Sequence, residues 1–72
     1  MLKMQSETFG AILHDIADSV KAVVSQGKQP NAYHLGQVNQ YTKQLQSESS
    51  PTLFKMTVGL LYHHLDKIGK EK

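Results

Sequence analysis

Residues 9–24 read FGAILHDIADSVKAVV, and within them Phe9, Ile12, Leu13, Ile16, Val20, Val23 and Val24 recur at spacings of three and four. That is the period of an α-helix with one apolar face. His14, Asp15, Asp18, Lys21 and Ser25 take the opposite face, Ser6 or Thr8 is suited to cap the start, and Gly27 supplies the left-handed residue that ends such a helix. The first helix is therefore expected over about residues 7–26, with Met1 to Gln5 frayed ahead of it.

Working outward, Lys28-Gln29-Pro30-Asn31 is a connector, and a second helix is expected over about 31–46. Its apolar stripe is thin: Leu35, Val38, Tyr41 or Thr42, and Leu45 on a background rich in glutamine and asparagine. Gly36 in its interior costs about 1 kcal/mol against alanine, which implies a weak helix or a close helix crossing. After the polar break Ser47 to Ser50, Ser50 as cap and Pro51 as first residue open a third helix over about 51–68. It carries Leu53, Phe54, Thr57, Leu60, Leu61, His64, Leu65 and Ile68, and Gly69 closes it before the tail Lys70-Glu71-Lys72, which is expected to fray.

Connectors this short force consecutive helices to lie antiparallel, so the expected fold is all-α, an up-down-up three-helix bundle forming one domain over residues 1–72. Leu13, Ile16, Val20, Leu61 and Leu65 are its expected core. A chain of this length buries only roughly 60% of its unfolded surface, so its margin of stability is small.

Composition removes several function classes. There is no cysteine, so disulfide frameworks, thiolate metal sites and thiol nucleophiles are excluded. The longest apolar runs are three or four residues, such as Ala22-Val23-Val24, far from the roughly 20 that cross a bilayer, and no secretory leader pattern opens the chain. A cytoplasmic protein is expected. The net charge of +2 comes from eight lysines against six acids, without arginine, so bidentate readout of guanine is absent.

Four histidines, His14, His34, His63 and His64, raise a metal reading, but His63 and His64 lie about 100° apart on one helix and no HExxH spacing exists. No metal and no cofactor are expected, and His64 reads instead as a partly buried core histidine. Asp15 and Asp18 beside His14 resemble an acid-base pair, yet a bundle this small offers no evident pocket to set their pKa values apart. With no phosphate loop and no nucleophile elbow, the expectation is a non-enzyme. Lys43, Lys55, Lys67, Lys70 and Lys72 are scattered among acids, so nucleic acid is a weak partner, and a small helical DNA-binding or regulatory protein is the alternative reading. Helix one carries too few cations on its polar face for a membrane-surface helix. Tyr33, Tyr41 and Tyr62 are by default structural, although Tyr33 and Tyr62, near helix ends, suit a protein contact.

The order of punctuation, an apolar helix ending in Gly27-Lys28-Gln29-Pro30, a polar helix with Leu35, Val38 and Tyr41, then Ser50-Pro51 opening a last helix with Leu53-Phe54, resembles the enterocin A type (pediocin-like) bacteriocin immunity family. The resemblance covers roughly Ala11 to Leu65. Members of that family are antiparallel four-helix bundles, and this chain resembles a shortened version with three. The resemblance implies a cytosolic protein of a Gram-positive bacterium, protecting the producer cell by recognising a bacteriocin bound to the mannose phosphotransferase permease. It places specificity in the C-terminal half, which makes Tyr62, His63, Asp66, Lys67, Lys70 and Lys72 the candidate partner contacts. A thin bundle with uncovered apolar surface also implies a homodimer.

Overall fold

A computed structural model describes residues 3–69, with side chains described from Gln5. It is an all-α three-helix bundle: α1 spans Lys3–Ser25, α2 Ala32–Ser47 and α3 Pro51–Leu65. Among the described residues there is no strand.

Local chemistry accounts for the boundaries. Gly27 has φ +78° and its amide donates to Val24 O at 2.9 Å, the left-handed stop expected after α1. Asn31 is the N-cap of α2, its Oδ1 accepting the His34 amide at 3.1 Å. Ser50 caps α3 through Oγ, which accepts the Leu53 amide at 3.3 Å, and Pro51 occupies the first turn, where a missing N–H costs nothing.

Both outer boundaries differ from expectation. α1 begins by Lys3, so Ser6 and Thr8 are interior and cap nothing, and Lys3 to Gln5 are helical instead of frayed. The cause is Gln5, which is buried and extends the stripe Phe9, Ile12, Ile16 and Val20 one turn towards the N-terminus. Met1, Leu2 and the tail Lys70 to Lys72 lie outside the described residues. α3 stops at Leu65, and residues 66–69 form a turn in which Lys67 N donates to His64 O and Ile68 N to Leu65 O. Ile68 is buried there, and its carbonyl accepts the Asn31 amide at 2.7 Å, which ties the end of α3 to the start of α2.

That tie makes α2 and α3 an antiparallel pair. Tyr62 meets Asp15, and the bare Cα of Gly69 sits where a Cβ would come within 3.1 Å of Val23 Cγ2, so α1 and α3 run the same way. The order is up-down-up. The core is Ile12 and Val23 from α1, Val38 and Leu45 from α2, and Phe54, Leu61, Leu65 and Ile68 from α3 and its turn.

Leu61 and Leu65 are core as expected, whereas Ile16 and Val20 only pack against its edge. Leu13 is 45% exposed and does not belong to it. Once Gln5 joins the stripe, its centre runs through Ile12 and Ile16, and Leu13, about 100° round from Ile12, is left on the flank. Leu53 and Leu60 are likewise half-exposed. Gly36 has open space where a Cβ would stand, so no close crossing occurs at it.

Candidate functional site

α3 touches both other helices and still keeps a face to solvent, so its faces hold the candidate sites. Phe54, Leu61 and Leu65 point into the core. One edge turns towards α1. There the Tyr62 hydroxyl donates to Asp15 Oδ2 at 2.5 Å, and an open cleft of about 250 Å³ is lined by Asp15, Asp18, Ser19, Tyr62, Leu65 and Asp66. Burial first, then the bond to Asp15 and its negative charge, push the Tyr62 hydroxyl up to about 12. The α1–α3 seam thus places a small open cleft beside Asp15 and Asp18, but both carboxylates stay at least half-exposed in it. His14 lies on its outer side, 3.5 Å from Asp18 and 3.9 Å from Asp15, in exposed pairs of the kind that contribute little.

The other edge turns towards α2. His34 from the first turn of α2 and His64 from the last turn of α3 face each other with Nδ1 atoms 2.9 Å apart. Tyr41 stacks on His64, while Tyr33 meets both rings edge-on and His63 meets His64 edge-on. The partly buried His64 is as expected, and burial, followed by the fields of His34, His63 and Lys67, holds its imidazole below the usual 6.5. Among the described residues no three or more His, Asp or Glu side chains are grouped as a metal ion needs.

The outer face carries Leu53, Met56 and Leu60, which are 50%, 61% and 47% exposed. Spaced i, i+3, i+7, they form one line along the helix, and the line continues through exposed His63 to Lys67. Of the residues expected to meet a partner, His63 and Lys67 extend this line, while Tyr62 and Asp66 sit round the helix in the α1 cleft. Lys70 and Lys72 lie outside the described residues. The expected set is therefore divided between two faces. Sequence reasoning missed Leu53, Met56 and Leu60 as surface residues, although one signal was present: α3 holds more apolar side chains than a single face accommodates.

No protein-family model, no curated protein and no solved structure matches this chain.

Proposed function

We propose that this chain is a non-enzymatic protein-interaction module of the bacteriocin-immunity kind, acting in the cytoplasm of a Gram-positive producer cell on a bacteriocin-bound mannose phosphotransferase permease. The observation that carries this reading is the uncovered apolar line Leu53, Met56 and Leu60 on α3, ending in His63 and Lys67. Apolar anchors at i, i+3 and i+7 are the pattern by which a helix seats itself in a partner's groove, and a contiguous exposed apolar line on a small domain marks such a contact. It also falls in the C-terminal half, where the resemblance puts specificity. That no described helix is long and apolar enough to cross a membrane fits a protein that meets the permease from one side without insertion.

The test is protection. A sensitive strain expressing the chain should survive at least one peptide of a panel of pediocin-like bacteriocins, and Leu60→Ser should remove the protection while leaving the helix content of the purified protein unchanged. Killing at the same dose with and without the chain, across the whole panel, contradicts the reading. The same line could be covered by a second copy of this chain; light scattering that shows a monomer across the micromolar range removes that homodimer.

A further inference from the structure

We propose that His34 and His64 form a one-proton clasp joining the start of α2 to the end of α3, and that a second proton opens this end of the bundle in mildly acidic solution. The geometry carries it. The Nδ1 atoms are 2.9 Å apart and the ring centroids 5.2 Å, which is the nitrogen separation plus one ring radius on each side. Both nitrogens therefore lie on the line between the rings, each pointing at the other, as in an N–H···N hydrogen bond. A chelated metal needs the two lone pairs to converge on a third point away from that line, so a direct hydrogen bond fits this arrangement and a chelate does not.

Such a contact holds one hydrogen between two nitrogens. In the neutral pair one ring donates through Nδ1 and the other accepts. A first added proton goes to the Nε2 of the donor ring and leaves the bond in place, charge-assisted. The next proton has only the accepting Nδ1 to occupy, and it sets two N–H groups head to head between two cations. The surroundings offer that charge no relief. α2 contributes Tyr33 and Tyr41, α3 contributes His63 and the following turn Lys67, and among the described residues neither ring has a carboxylate partner and no α1 side chain is in ring or charged contact with them. Burial and those positive neighbours already depress proton binding at His64. A depressed imidazole contributes stability that is present above its ordinary value of 6.5 and is lost as pH falls from there through the folded-state value. The same end of the bundle holds the Asn31 amide bonded to Ile68 O, so that amide reports the opening.

The experiment is an imidazole NMR titration of the whole chain from pH 8 to pH 4.5, with amide exchange followed in parallel. The expected result is that His34 and His64 titrate as a coupled pair in two steps, the second well below the ordinary 6.5 of an imidazole. Protection of the Asn31 amide should fall about tenfold per pH unit between 6.5 and that second step and level off below it, while Leu61 keeps its own. In His34→Gln the two-step curve of His64 should become a single step; if that variant does not fold, the wild-type titration still decides. Independent single steps for His34 and His64, or Asn31 protection that stays level with Leu61 across the range, overturn the proposal.

Discussion

The two seams of this bundle are built differently. α2 and α3 meet along most of their length, and Val38, Leu45 and Leu61 between them have no exposed surface at all. α1 meets α3 over a much shorter stretch, with Ile12 and Val23 buried and a polar rim of Tyr62, Asp15, Asp18 and Asp66 surrounding an open cleft. A hairpin with a dry seam bears most of the fold, and a third helix leans on it through a partly wet one. Polar side chains gather at the α1 cleft, whereas the histidine pair closes one end of the α2–α3 seam.

Truncations should separate the two seams. Leu61→Ala should cost about 2 to 5 kcal/mol, enough for a domain of this size to lose all three helices together, as circular dichroism against temperature would record. An unmoved midpoint would mean that α3 faces another way. Val23→Ala removes two buried methyl groups from the α1 seam and should cost about 2 kcal/mol. Its signature is selective: exchange should quicken in α1 while the amides of Val38 and Leu45 stay slow, and equal quickening everywhere would erase the distinction between the seams.

Tyr62→Phe removes the bond to Asp15 and should cost about 0.5 to 1.5 kcal/mol, towards the lower end because the carboxylate is half in water. The sign of its pH dependence is fixed by the raised pKa. The contribution of Tyr62 is complete below pH 10 and is lost as pH rises to about 12, so the thermal midpoint of the wild type should fall across that window faster than that of the variant. Parallel curves would show that the bond adds nothing to α1 docking. Leu60→Ser should be the mildest, within about 0.5 kcal/mol by chemical denaturation, because the side chain is half-exposed. A cost above 2 kcal/mol would put Leu60 in the core instead of on the contact face.

How much of this was legible in the sequence depends on how far apart the interacting residues are. Gly27, Pro51 and Ser50 act on neighbours within a few positions, so their roles could be read directly, as could the three helices and their order. Ile12 and Leu13 satisfy the same spacing rule, and only the burial of Gln5 two turns earlier shows which of them faces inward. The exposure of Leu53 and Leu60 was not legible for a related reason: periodicity says that apolar residues share a face, not whether a second face is left uncovered. Tyr62 with Asp15, and His34 with His64, lie 47 and 30 positions apart, and their meeting depends on how each helix is rotated about its axis, which no local pattern encodes.

That the α2–α3 hairpin bears the fold, leaving the α1 seam and the outer line of α3 open to other work, is tested most directly by native-state hydrogen exchange resolved to single amides. The amides of Val38, Leu45 and Leu61 should exchange only through global unfolding, and those of Ile16 and Asp18 through a cheaper opening that detaches α1. Exchange of Ile16 and Asp18 as slow as that of Leu61 would contradict it.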